Sequence, residues 1–125
     1  MSDILIVEDD PGVANMLTMT FAVEGYDTEL IGDGRTAMDR LAGEPTRVVV
    51  LDVMMPHMSG FDVLQALRAD ERWDGTKVVV ATALRDDEDV WRGWSSGADY
   101  YLVKPFDLDH LRDVVQRLLT GAPVV

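Results

Sequence analysis

Five short strand-like runs, each separated from the next by enough chain for a helix, constrain this sequence more than any other feature. They are Ile4-Leu5-Ile6-Val7, Thr28 to Ile31, Val48-Val49-Val50-Leu51, Lys77-Val78-Val79-Val80-Ala81 and Tyr100-Tyr101-Leu102-Val103. Apart from the weaker second run, they are short, apolar and mostly β-branched or aromatic, with no polar alternation, which suits strands covered on both faces. Between them apolar residues recur at helical spacing: Val13, Leu17 and Phe21 with Met16 and Thr20 beside them, then Ala37, Met38 and Leu41, then Phe61, Leu64 and Leu67. Asp86 to Asp89 open a fourth helix that closes before Gly97, and Leu108, Leu111, Val115 and Leu118 stripe a fifth. A parallel crossover needs about a dozen residues or more, so the alternation predicts an α/β fold with helices on both faces of a parallel sheet.

The bulk properties narrow the class. A chain of 125 residues suits one domain, and no stretch is apolar for long enough to cross a membrane. Met1-Ser2-Asp3 has no basic leader character, so the expectation is a cytoplasmic protein. The absence of cysteine excludes disulfides, thiolate metal sites and thiol catalysis, and two histidines, His57 and His110, are too few for a polyhistidine site. Both are expected on the solvated surface. A net charge of −12 argues against direct grip on a nucleic-acid backbone. Met16, Met19 and Met38 are expected to fill core.

In parallel α/β sheets ligands bind beyond the carboxyl ends of the strands. The first strand ends at Glu8 and Asp9, the third at Asp52, the fourth at Thr82 and the fifth at Lys104. Three carboxylates, a hydroxyl and an ammonium in one pocket supply oxygen ligands for a hard divalent cation, an oxygen nucleophile and donors for a phosphoryl group. Two like charges ~4 Å apart repel by ~4 kcal/mol at an effective dielectric near 20, so three acids need more than one lysine. A magnesium ion is the natural supplement. Asp10 suits a helix cap as well as contact with an ion, and is placed behind the direct ligands.

Four segments carry a resemblance over nearly the whole chain: ILIVEDD at the first strand, LDVMMPHMSG around Asp52, VVVATA at the fourth strand and GADYYLVKPF near the end. Together they resemble the receiver domain of two-component response regulators, similar to CheY. The resemblance implies a flavodoxin-like, doubly wound (βα)5 fold with strand order 2-1-3-4-5. It implies that Asp52 accepts a phosphoryl group from a sensor histidine kinase or phosphotransfer protein. Mg²⁺ would be held by Glu8 through water, by Asp9 and Asp52, and by the backbone carbonyl of Met54. Thr82, the Ala83 amide and Lys104 would bind the phosphoryl oxygens, and Thr82 and Tyr101 would form the switch. A cis bond before Pro105 would aim Lys104 inward. The output would be a changed surface on the fourth helix, fifth strand and last helix, read by an effector protein or domain. Such a protein is a regulator, not an enzyme, although it assists its own phosphorylation and dephosphorylation.

By the same resemblance residues 1–120 form the receiver, and 121–125 a tail or the start of a linker; the chain is a stand-alone receiver or a piece of a longer regulator. Tyr100 replaces an acid that in many DNA-binding members helps bridge a phosphorylation-dependent homodimer, which puts that dimer in question. Trp91 lies to the side of the Val90–Trp94 helix face, with partial burial and partner binding equally open. Met54 and Leu84 flank the position of a hydrolytic water, and neither side chain hydrogen-bonds water, so slow dephosphorylation is expected.

Three rivals stand beside this reading. Gly32-Asp33-Gly34-Arg35-Thr36-Ala37 fits the G-x-G-x-x-G/A dinucleotide fingerprint between a strand and a helix, with Asp52 about 20 residues on. It leaves Glu8, Asp9, Thr82 and Lys104 without a role. An aspartyl phosphatase would want a second acid near Asp52, where Val53 and Met54 stand. The third rival is a receiver whose output ignores phosphorylation.

Overall fold

The computed structural model describes residues 2–56 and 58–124; the expectation for His57 lies outside them. Strands β1 (Ile4–Val7), β2 (Thr28–Ile31), β3 (Val48–Leu51), β4 (Lys77–Thr82) and β5 (Tyr100–Val103) alternate with helices α1 (Pro11–Val23), α2 (Gly34–Arg40), α3 (Gly60–Ala69), α4 (Asp87–Ser95) and α5 (Leu108–Thr120). The sheet is wholly parallel in the order β2-β1-β3-β4-β5, the doubly wound flavodoxin-like arrangement expected. The order reverses between β1 and β3, which opens the crevice at their carboxyl ends.

Strand periodicity explains the two-sided core. Leu5, Val7, Val49, Leu51, Val78 and Val80 point to one face, against Ala37 of α2, Leu41 at its C-cap, and Phe61, Leu64 and Leu67 of α3. Ile4, Ile6, Val48, Val50, Val79 and Ala81 point to the other, against Leu17 and Phe21 of α1 and Leu111, Val114 and Val115 of α5. Each such side chain contributes roughly 1.5–3 kcal/mol on burial, which fixes strand register and hence the positions of the strand ends.

One reading from sequence is corrected, and one left open is decided. Met16 and Met19 do not fill core: they are 40% and 68% exposed, because α1 buries Ala14, Leu17 and Phe21 and turns the methionines off that stripe. Met38 does pack against the core, partly buried. Asp10 is the N-cap of α1, its carboxylate accepting from the N–H groups of Gly12 (2.9 Å) and Val13 (3.3 Å).

One core element has no counterpart in the sequence reading. A 3₁₀ turn, Glu71–Trp73, buries Trp73 completely, and its indole N–H donates to the Leu41 carbonyl at 3.0 Å. Arg68 ties this region to β5's entry by donating to the carbonyls of Thr76 and Gly97 and pairing with Asp99.

Candidate functional site

Parallel register delivers the site. Val7 pairs with Leu51, so Glu8 and Asp52 leave adjacent strands side by side, and Thr82 pairs with Val103, which brings Lys104 to the same edge. The ladder continues past the strand ends, with Asp52 N–H donating to Val7 O (2.9 Å) and Lys104 N–H to Thr82 O (2.7 Å). Carboxylate oxygens of Glu8, Asp9 and Asp52 lie within 4.8 Å of one another. Glu8 and Asp52 are 3% and 5% exposed, whereas Asp9 stands at the mouth in contact with solvent.

Lys104 reaches into this cluster, with Nζ 2.5 Å from Glu8 Oε1 and 2.9 Å from Asp52 Oδ2. The other oxygen of Asp52, Oδ1, accepts the Met54 N–H at 2.8 Å. Burial pushes the Glu8 carboxyl above its usual range and the Asp52 charge adds to this, although the Lys104 hydrogen bond and the Asp10 N–H pull the other way. Burial also works against the Lys104 ammonium, but its bonds to Glu8 and Asp52 outweigh that and hold it above its ordinary value. Three convergent oxygen donors with one ammonium suit a hard divalent cation, which would complete the charge balance.

Thr82 is fully buried, and its hydroxyl oxygen accepts the Leu84 N–H at 3.4 Å. Tyr101 lies inward, its hydroxyl donating to the Leu84 carbonyl at 2.9 Å. Its pKa is pushed up to about 12, by burial first and then by the charges of Asp89 and Asp52. The Lys104–Pro105 bond is cis, as expected. Ala83, Lys104, Pro105 and Phe106 line an apolar groove of about 530 Å³ with Val13 and the exposed Met16 of α1.

Gly60 is a site residue that sequence reasoning passed over. A Cβ there would sit 2.4 Å from Val53 Cα and 2.5 Å from Asp52 O, so only glycine lets the start of α3 fold back on the end of β3. Its signal was present in Ser59-Gly60, a cap residue followed by the smallest residue just after the acidic strand end.

The dinucleotide reading fails on topology. The Gly32-Asp33-Gly34 turn follows β2, an edge strand, whereas the switch point of the sheet is between β1 and β3. Asp33 caps α2 through Thr36 N–H (2.7 Å) and Thr36 Oγ1 (2.9 Å), and Asp52 faces Lys104.

Residues 4–116 match the family described as the response regulator receiver domain. The chain belongs to that family. The DNA-binding response regulator MtrA of Mycolicibacterium smegmatis is 47% identical over 103 residues, 82% of this chain and 44% of that protein. This receiver therefore spans less than half the length of that relative. Among solved structures, the receiver domain of the Francisella response regulator 1452 superposes with a TM-score of 0.87 at 32% identity, covering 97% of this chain and 98% of that one. The receiver domain of the Pseudomonas aeruginosa sensor histidine kinase PA1611, whose structure has magnesium coordinated in the active site cleft, gives 0.86 at 25% identity, covering 95% and 98%.

Beyond the pocket, the receiver's α4 to α5 face carries a row of aromatic rings. Trp91 is 70% exposed, so partial burial is not its state. Trp94 stacks edge-on against Tyr100, and Tyr100 against His110, with the Tyr100 hydroxyl and His110 Nε2 3.2 Å apart. His110 is exposed, as expected. No helix among the described residues is long and apolar enough to cross a membrane.

Proposed function

We propose that Asp52 is the phosphoacceptor of a signalling switch. The observation that carries this is the Lys104 ammonium bridging Glu8 and Asp52 within a cluster of three carboxylates at the sheet's switch point. Asp52 Oδ attacks the phosphorus of a phosphohistidine; the new O–P bond forms as the P–N bond breaks, and the bonding pair leaves with the donor imidazole. The product is an acyl phosphate. Glu8, Asp9, Asp52 and the Met54 carbonyl are the groups that would hold Mg²⁺, which supplies charge neutralisation for the arriving phosphoryl oxygens. Lys104 turns from the bare carboxylates to the new phosphoryl oxygens, and the Thr82 hydroxyl and Ala83 N–H donate to them. Movement of Thr82 toward the phosphate is transmitted to Tyr101 and so to the α4, β5 and α5 surface.

On this reading the protein is a cytoplasmic regulator that assists its own phosphorylation and dephosphorylation without turning over a substrate. Its donor is a sensor histidine kinase or phosphotransfer protein, and its output passes to an effector protein or domain. The module is residues 1–120, with 121–125 as tail or linker. The charge of −12 supports a protein partner over direct nucleic-acid contact for this part of the regulator. Tyr100 in place of a bridging acid speaks against a homodimer held by salt bridges on this face. Incubation with acetyl phosphate, with and without Mg²⁺, followed by intact mass, tests the proposal: one phosphoryl group should appear on the wild type and none on Asp52→Asn. No added mass on the wild type would refute it.

A receiver with phosphorylation-independent output has one observation in its favour, the inward Tyr101 already bonded to Leu84. Equal partner binding by wild type and Asp52→Asn, with and without phosphodonor, would select it.

A further inference from the structure

The interior of α4 contains a glycine where an alanine would strengthen the helix by roughly four- to fivefold in its folding constant. Gly93 is buried, and α4 continues past it to Ser95. A Cβ at this position would lie 2.6 Å from Cδ2 and 2.7 Å from Cε2 of Tyr101, far inside the ~3.5–4 Å of ordinary carbon contacts. These ring atoms belong to a side chain that is itself fixed at its far end, because the Tyr101 hydroxyl donates to Leu84 O at 2.9 Å. Leu84 in turn places its N–H on the Thr82 hydroxyl at 3.4 Å. Helix notch, tyrosine ring, loop residue and threonine thus form one contiguous chain from α4 to the pocket.

From this juxtaposition we infer that Gly93 is a positioning residue of the switch: its missing side chain is the space that Tyr101 occupies when it turns inward. The residue at 93 therefore sets the balance between inward and outward tyrosine, and with it how strongly events at Asp52 reach the outer face. The ring takes up the volume that the helix-weakening glycine leaves open, and an added methyl group drives the ring outward. This rests on the reading of Tyr101 as the element that reports the state of Asp52.

The test compares wild type, Gly93→Ala, Tyr101→Ala and the double variant by urea unfolding, and follows the Tyr101 resonance by ¹⁹F NMR of 3-fluorotyrosine-labelled wild type and Gly93→Ala, with Tyr101→Phe for assignment. Gly93→Ala should lower the unfolding midpoint when Tyr101 is present and raise it when Tyr101 is alanine, since only helix propensity then remains. The Tyr101 resonance should move toward the solvent-exposed position in Gly93→Ala. If Gly93→Ala does not fold, a folded double variant supports the assignment and an unfolded one overturns it. A change of the same sign in both backgrounds, or an unmoved resonance, also overturns it. Phosphoryl mass at Asp52, read separately on the wild type, distinguishes failure of the phosphoacceptor reading from failure of this one.

Discussion

Lys104 holds two buried acids from different strands with one ammonium, at 2.5 Å to Glu8 and 2.9 Å to Asp52. Its own side chain is 20% exposed, so it is close enough to solvent to move and buried enough for the charges to matter. Lys104→Ala leaves those carboxylates facing each other without a counter-charge, and should lower stability by about 1–3 kcal/mol at neutral pH. Millimolar Mg²⁺ should recover more stability in the variant than in the wild type, because a ligand that binds only the folded state stabilises by mass action. Urea unfolding with and without the ion checks both statements.

The raised Glu8 pKa gives a pH dependence of defined sign. The folded state binds this proton more tightly than the unfolded chain does. Glu8's contribution to stability is therefore complete below its ordinary value of 4.5 and is lost as pH rises through the higher folded value. Lys104 is raised above its ordinary 10.5, so its contribution is lost only when pH rises beyond that. With Glu8 among the proposed Mg²⁺ ligands, Mg²⁺ affinity should increase as pH rises above 4.5 and the Glu8 carboxyl ionises. Calorimetric titration of Mg²⁺ should show this slope in the wild type and a flatter one in Glu8→Gln.

Met54 is half-exposed beside Asp9 at the pocket rim, and Leu84 is partly buried two residues past Thr82. Neither side chain orients a water, so the acyl phosphate should be long-lived. Met54→Asn introduces an amide that can hold that water and should speed phosphoryl loss by about tenfold, the worth of one good hydrogen bond. Decay of phosphorylated protein followed by intact mass checks this, and an unchanged rate would contradict it.

Trp73 has no role at the pocket and should behave purely as core. Trp73→Ala should cost about 3–5 kcal/mol through the cavity it leaves, while Trp73→Phe should cost about 1–2 kcal/mol, largely the bond to Leu41 O. Phosphorylation of the folded fraction should be unaffected in both.

The sheet and pocket were legible because β1, β3 and β4 are buried on both faces, and each of these apolar runs ends abruptly at a polar residue of the pocket. Glu8, Asp52, Thr82 and Lys104 could be placed by counting strand ends alone. Topology came from the family resemblance, since short apolar runs do not state their own order. Met16 and Met19 misled because α1 is apolar nearly all round, so periodicity did not separate the buried Ala14, Leu17 and Phe21 stripe from its neighbours. Trp73 was missed because a single 3₁₀ turn has too few residues to show a period. Gly60 and Gly93 were missed for a different reason: each matters through volume it does not occupy, which shows only once Asp52 and Tyr101 are in place.

Asp52, and no other acid in the pocket, is the proposed acceptor of the phosphoryl group. Borohydride reduction after treatment with acetyl phosphate and Mg²⁺ converts an aspartyl phosphate to homoserine, which tandem mass spectrometry locates in the peptide. Homoserine is expected at position 52 alone, dependent on Mg²⁺. Modification at Glu8 or Asp9, or none anywhere on a folded wild-type protein, would contradict it.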